Sequence, residues 1–516
     1  MPQGVYATLL AFTLATGMEQ WTGTGLSVTL TDLTGTLGSS ADEASWAITL
    51  YGTAFAVSVA LTHRLANLFG NRRLLSLACL LYAVTSLGCA ASATLLPFLF
   101  FRVLQGIAGG VFLARTLVFI THQFPRKDRA GSLRLYGAGF FFLGRFLAPI
   151  ASGWFADSLS WRLLFVADVP VMLVAAWLFH RYAAPHGSDD VEEHRPDFPG
   201  IVLLLLGVCA LQTVLSRGEI DDWFGSNRIV VLTTAGVACN LLFVAWQFAP
   251  RNREPLLHLA QLRDRGLLSA AVLGVVLGML LGGSLYVLPQ YLRRVESHSA
   301  LQAGELMSIS GISGIAMLLI VPRLAKVIMK VGGKAVMAFA LFVQMISMAW
   351  LGHIITGDTP DRNLWMPLAL EGIFVGISVP TLALAAFIRM EDKHASSARA
   401  IYYGARQLGA SLGVTAVVAL IDRRATLHSS RLIENLFSRD LSILGVSIDP
   451  GNARRIAGLI TRQSLVLTFA DVFYAMAALA AAMLLLLPLL PSLAVAAPMQ
   501  AEKTAPQLTP AIESTL

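Results

Sequence analysis

Apolar residues run along this chain in long blocks separated by short polar breaks, and the length of the blocks is the first informative quantity. An α-helix needs about 18–25 mostly apolar residues to cross a bilayer. Such runs lie at roughly 5–28, 46–66, 74–93, 96–120, 132–155, 163–182, 199–216, 229–249, 267–290, 303–322, 335–354, 365–388, 404–421 and 469–491. The pattern predicts an all-α integral membrane protein with fourteen transmembrane helices, numbered here as spans 1 to 14. Between them, 184–197 (APHGSDDVEEHRPD) reads as a polar linker. The tail from Pro491 is rich in Ala, Pro, Thr and Gln and reads as disordered. Within 422–468, ATLHSSRLIENLF predicts a short amphipathic helix outside the membrane. The first run lacks a basic leader and an A-x-A site, so it is expected to stay as span 1.

An even number of spans puts both termini on one side. Loops after even-numbered spans, with the two tails, hold 22 Lys and Arg. Loops after odd-numbered spans hold 13, seven of them in the single segment 422–468. Positive charge is retained on the cytoplasmic side, so both termini are expected there. Arg423 and Arg424, at the end of span 13, run against this trend.

Composition narrows the function. Of 516 residues, 56% are hydrophobic and only 13% charged, a balance that lipid can use and a soluble core cannot. The net charge of +7 is scattered over short loops and makes no nucleic-acid footprint. Cys79, Cys89, Cys209 and Cys239 fall in apolar runs without metal-ligand spacing. No H-E-x-x-H, G-x-S-x-G or Walker loop occurs. An enzyme, an ATP-driven pump, a cofactor and a metal are therefore not expected.

An internal echo organises the spans. The loop after span 2 reads LTHRLANLFGNRRLL (61–75), with Gly70 and Arg72; the loop after span 10 reads VPRLAKVIMKVGGKAVM (321–337). Both are basic and both carry a glycine turn. With spans 7 and 8 set aside as an insertion, Gln105-Gly106…Gly110 on span 4 matches Glu371-Gly372…Gly376 on span 12. Paired halves with a site between them near the midplane are a common plan of secondary transporters. The expected organisation is a six-helix bundle (1–183), a linker with two inserted helices (184–260), a second six-helix bundle (261–493) containing an extracytoplasmic loop (422–468), and a disordered cytoplasmic tail (494–516).

Charges inside the spans carry the chemistry. Arg102, in LLPFLFFRVLQGIAGGVFLA (95–114), lies about a turn and a half into span 4. An arginine there costs about 3 kcal/mol or more. It reads either as facing a watery cavity or acidic partner, or as a snorkelling or helix-locking residue. Gln105, Gly106, Gly109 and Gly110, three and four apart, place a polar group and a small-residue stripe close to its face. Glu19 is the one carboxylate deep in span 1 (GMEQWTGTG, 17–25). Burial favours a neutral carboxyl and a nearby guanidinium a charged one. A glutamate poised between the two suits a proton-coupled carrier; the alternative is a permanently paired or boundary residue. Glu371 is the corresponding acid of span 12, or else an interfacial acid facing periplasmic water. Arg115 is thirteen residues past Arg102, about 220° around the helix, and is expected to snorkel to the cytoplasmic surface. Arg145, in LYGAGFFFLGRFLAPIASGW (135–154), lines a cavity or pairs with Glu19, on a helix kinked by Pro149. Asp168 and Asp471 read as interfacial acids at helix starts.

These residues resemble a known family. RVLQGIAGG (102–110) is similar to R-x-x-Q-G-x-x-G-G on span 4 of the major facilitator superfamily, in the fourteen-span drug:H⁺ antiporter group that includes EmrB-type and QacA-type exporters. GRFLAPIASGW (144–154) keeps Gly144, Pro149 and Gly153 of the antiporter signature G-x-x-x-G-P-x-x-G-G, with Ala148 and Ser152 at two glycine positions. LPQYLRRVESHSALQAGEL (288–306) and ARQLGASLG (405–413) also look like family segments. The loop motif G-x-x-x-D-R-x-G-R-K appears as HRLANLFGNR, with His63 for Gly and Asn67 for Asp. Thr22 stands where an aspartate is typical, and Glu19 one turn earlier.

The resemblance implies two six-helix bundles plus two inserted helices in a bacterial inner membrane, exporting amphipathic small molecules against protons by alternating access. It implies proton coupling at Arg102, with Glu19 and Glu371 as the candidate acids. Thr22, Gln105 and Arg145 are expected at the substrate cavity, and Gly70, Arg72, Gly106, Gly109, Gly110, Gly144, Pro149 and Gly153 in conformational packing. The partners are a small-molecule substrate, protons and the lipid bilayer, joined in tripartite export by a periplasmic membrane-fusion protein and an outer-membrane channel. A dedicated metabolite exporter or a carrier without proton coupling is the alternative. A non-transporting receptor or enzyme is the remote one.

Overall fold

The computed structural model describes residues 3–184, 197–218, 221–252, 255–257, 259–320, 332–387, 395–437 and 450–489. Residues 185–196 of the expected linker, 321–331 of the second echo loop, 438–449 of the expected extracytoplasmic loop and the tail from 490 lie outside these. Helices stand at all fourteen predicted places: Gln3–Leu37, Ala41–Phe69, Asn71–Ala91, Leu95–Gln123, Arg126–Phe141 continuing to Ala148–Ser158, Leu163–Val166 with Asp168–Tyr182, Phe198–Arg217, Asn227–Gln247, Arg265–Arg294, Ala300–Ile320, Gly333–Ile354, Asp361–Phe387, Ala395–Phe437 and Pro450–Leu486. No strand occurs among the described residues. Thirteen of these helices are long and apolar enough to cross a membrane; span 1, broken by threonines and glycines, is below that apolarity.

The echo survives as geometry. Gly70 (φ 74°, ψ 148°) caps the start of span 3, and Gly332 (φ 87°, ψ 153°) caps the start of span 11. Positive φ is what glycine supplies at each turn. On span 4, Gly106 and Gly110 rest on the carbonyls of Tyr51 and Phe55 of span 2. On span 12, Gly372 and Gly376 rest on those of Ser310 and Gly314 of span 10. A methyl group at any of the four would push the helices apart. Leu77, Val84, Leu96, Phe100, Trp154, Trp177 and Leu485 point outward, as lipid-facing positions do.

Several expectations are corrected. The segment ATLHSSRLIENLF is not a separate amphipathic helix. It continues span 13, whose helix runs for 43 residues, roughly 65 Å at 1.5 Å per residue against about 30 Å of hydrocarbon. Span 14 likewise begins at Pro450, so much of 422–468 is helix. Ser464 Oγ donates to Ala425 O (2.9 Å), and Asp471 accepts from Arg424 (3.3 Å) and faces His428 (2.8 Å), which ties the two extensions together. The distortion ahead of Pro149 is a π turn, Phe142–Leu147, in which Ala148 N donates to Leu143 O. Proline has no N–H for the carbonyl of residue 145, so the α-helical ladder breaks there.

Candidate functional site

Two polar clusters are buried among these helices. The first lies among spans 1, 2, 3, 4 and 6. Arg102 is 1% exposed. Its Nε donates to Ala47 O (3.0 Å), its Nη1 donates to Gln105 Oε1 (2.7 Å), and its guanidinium lies 4.2 Å from the centre of the Tyr51 ring. Tyr51 OH donates to Glu19 Oε1 (3.0 Å), and Gln20 Nε2 donates to Glu19 Oε2 (2.9 Å). Gln105 Nε2 donates to Ser86 Oγ (2.7 Å), and Ser86 Oγ donates to Asp168 Oδ2 (3.0 Å). Asp168 also meets Thr22 Oγ1 at 2.9 and 3.1 Å, and Thr22 accepts from Tyr82 OH (3.0 Å). No carboxylate among the described residues pairs directly with Arg102. Its charge is held by a carbonyl, an amide and an aromatic face instead.

The second cluster spans the two halves. Arg145 of span 5 donates through Nη1 to both oxygens of Glu371 on span 12, each at 3.2 Å, and to Ser310 Oγ of span 10 at 3.2 Å. Ser310 Oγ donates in turn to Glu371. The Glu371 side chain is 2% exposed and that of Arg145 13%. The pair forms part of the wall of a small cavity, with Thr24, Ser284 and Ser310 as further polar walls and leucine, methionine and proline elsewhere. Among the described residues Thr24 Oγ1 has no hydrogen-bond partner. A cavity with apolar walls and a few convergent polar groups is the usual form of a small-molecule site.

Glycines bring these groups together. Gly109 lies against Tyr51 OH and Glu19 Cγ, and Gly144 against Gln20. Gly153 and Gly304 let spans 5 and 10 touch at Ala300 O and Pro149 O, and Gly311 sits on Arg145 O, a carbonyl to which Pro149 has no N–H to donate. Arg72 Nε donates to Ala183 O (2.8 Å), tying the start of span 3 to the end of span 6.

Of the residues predicted for the cavity, Arg145 lines it. Thr22 and Gln105 belong to the Arg102 network and are not among the cavity walls. Arg145 pairs with Glu371 rather than Glu19, which lies across the first cluster with Tyr51 and Gln20. Glu371 is buried, not interfacial. Arg115 does not snorkel: it is 5% exposed and donates to Asn71 Oδ1 at the start of span 3. Asp168 is not interfacial either; at 0% exposed it lies inside the first cluster. Nothing in the sequence marks Tyr51, Tyr82, Ser86 and Ser310 as members of these clusters. An aromatic or hydroxyl group in an apolar run carries no sign of the distant partner it will meet.

The Major Facilitator Superfamily profile matches residues 10–414. The probable multidrug resistance protein EmrY of Escherichia coli (strain K12) is 27% identical, over 91% of this chain and 92% of that protein. The multidrug export protein EmrB of Haemophilus influenzae is 25% identical over 90% and 91%. The fatty acid resistance protein FarB of Neisseria gonorrhoeae is 26% identical over 90% and 92%. Among solved structures, a D-xylose-proton symporter shares the fold at a TM-score of 0.63 and 14% identity, covering 95% of this chain and 98% of its own.

Proposed function

Since the chain belongs to the Major Facilitator Superfamily, we propose that it is a proton-coupled secondary exporter of amphipathic small molecules, working by alternating access as a multi-pass protein of the bacterial inner membrane. Multidrug resistance and multidrug export stand in the names of two relatives matched along nine-tenths of the chain. The observation that carries the coupling is the Arg145–Glu371 pair, one partner from each half, on the wall of the cavity. An uncompensated buried charge is costly, so the pair holds while both partners are ionised. A proton on Glu371 weakens it, and a lipophilic cation entering the cavity competes for the same carboxylate. Substrate and proton thus exclude one another at one group, which is the requirement of antiport. Glu19 and Arg102 form a second proton-responsive cluster within the first half.

In this reading both termini and the loops after even-numbered spans are cytoplasmic, so the projecting ends of spans 13 and 14 are periplasmic. Residues 1–183 and 261–493 are the moving bundles, and 184–260 is the insertion. A periplasmic membrane-fusion protein and an outer-membrane channel would extend the path to the exterior. The test is proton release from purified protein in weakly buffered detergent solution, on adding tetraphenylphosphonium, a fatty acid or a neutral drug. Release on adding the cation, absent in Glu371→Gln, is expected. Binding of all three without release from the native protein overturns the coupling.

A further inference from the structure

Asp168 is the most enclosed carboxyl of the first cluster, and its partners are hydroxyl groups only. Thr22 Oγ1 carries one proton but has two acceptors in reach, Met18 O at 2.9 Å and the Asp168 carboxyl at 2.9 and 3.1 Å. It also receives the Tyr82 hydroxyl. With Asp168 ionised, Thr22 and Ser86 both donate to the carboxylate. With Asp168 protonated, its own O–H donates to Thr22 Oγ1, and the Thr22 proton turns back to Met18 O. The same heavy atoms satisfy both states through one hydroxyl rotation. On the other side, Arg102 fixes the Gln105 amide by binding its oxygen, so the amide nitrogen donates to Ser86 and the Ser86 proton must point at Asp168. That chain links the guanidinium to the carboxyl without an ion pair.

From this geometry we propose that Asp168 is a proton-carrying residue of the transport cycle, wired to Arg102 through Gln105 and Ser86. The proposal deepens the proton-coupled reading above and rests on it. The titratable groups that act on or feel Asp168 are Tyr82 and Cys89 from span 3 and Arg102 from span 4; Glu19 of span 1 lies beyond Arg102 and also faces Arg406 of span 13. When spans 1, 3, 4 and 6 loosen and water reaches the carboxyl, the Asp168 O–H bond breaks, the proton leaves as hydronium, and Thr22 turns to the carboxylate.

The test is infrared difference spectroscopy of the purified full-length protein between acid and alkaline pH, which reads protonated carboxyl groups without any ligand. It is paired with tetraphenylphosphonium efflux from proteoliposomes under a pH gradient. Asp168→Asn is expected to remove one carboxyl component and reduce gradient-driven efflux to that of unenergised vesicles, while Glu19→Gln leaves that component in place. An unchanged difference spectrum, or native efflux, in Asp168→Asn overturns the assignment. If Asp168→Asn fails to fold, Thr22→Val is read instead. It keeps the carboxyl but removes its switching partner, so the band must shift, and an unmoved band overturns the proposal. Native protein that shows the Asp168 band but pumps nothing under a gradient refutes proton-driven export, and Asp168 as a carrier with it.

Discussion

Arg102 keeps its charge in the membrane through three contacts of different kinds: the Ala47 carbonyl, the Gln105 amide and the Tyr51 ring. Lysine supplies the charge but neither the planar fork nor the stacking surface. A desolvated cation–π contact is worth about 2 kcal/mol or more. Arg102→Lys is therefore expected to insert and fold, to lose about that much stability in detergent thermal melts, and to impair gradient-driven efflux more than substrate binding. Efflux equal to the native protein would show that charge alone suffices there. At this scale the sequence is readable where a residue is expensive. Arg102, Glu19 and Glu371 stand out because an ionisable group in an apolar run needs a reason. Asp168 escapes notice because it sits five residues into a predicted helix, where interfacial acids are ordinary. Only the fold shows that Leu163–Val166 forms a separate turn ahead of it, and that its partners are Thr22 and Ser86, 146 and 82 residues away.

Among the elements, the apolar runs predict helix positions well and helix ends poorly. Nothing in hydropathy marks where a helix leaves the lipid and continues through water, as spans 13 and 14 do. The π turn before Pro149 is equally hidden, since the proline announces a broken ladder but not its form. The inserted helices illustrate a further device. Asp197 caps span 7 by accepting from Gly200 N (2.9 Å), and also accepts from Trp246 Nε1 (2.7 Å), Gln247 Nε2 (3.0 Å), Asn252 Nδ2 (3.2 Å) and Leu256 N (3.0 Å). One carboxylate thus gathers the end of span 8 and the chain beyond it onto the start of span 7. Partial burial works to raise the Asp197 pKa, but the donors from Trp246, Gln247, Gly200 and Leu256 outweigh it and hold the carboxyl below its ordinary range. A carboxyl depressed in the fold stabilises it above the unfolded pKa of about 3.9 and loses that contribution as pH falls through the folded value. Asp197→Asn is accordingly expected to cost about 1–3 kcal/mol at pH 7. The gap between variant and native melting temperatures should narrow on acidification below about pH 4; a gap independent of pH would assign the effect to packing.

Across the whole molecule, the pairing of two halves is legible in the echo of their loops and glycines, whereas the way they meet is not. At the end where spans 1, 5 and 9 finish, Arg293 donates to Asp32 Oδ1 (2.7 Å), and Asp157 accepts from Ala300 N (3.0 Å) and Leu301 N (2.8 Å) at the head of span 10. Both links join one half to the other, and alternating access requires that they part. The Arg293 and Asp32 side chains are 11% and 29% exposed, and a partly solvated pair of this kind contributes up to about 1 kcal/mol. Removing it should favour the state open at this end about fivefold in population. The cavity-lining Ser284, replaced by cysteine, reports on that state. Cys79 and Cys89 are buried and the half-buried Cys209 and Cys239 can be replaced by alanine. With Asp32→Asn, a membrane-impermeant maleimide applied from the side on which spans 1, 5 and 9 finish should label Ser284→Cys about fivefold faster than in the parent. An unaltered rate would mean that the Asp157 cap alone holds this end shut. A disulfide between Asp32→Cys and Arg293→Cys should arrest efflux until reductant is added. Because the bond closes a link that the cycle must break, arrest without loss of substrate binding locates the moving interface between spans 1 and 9.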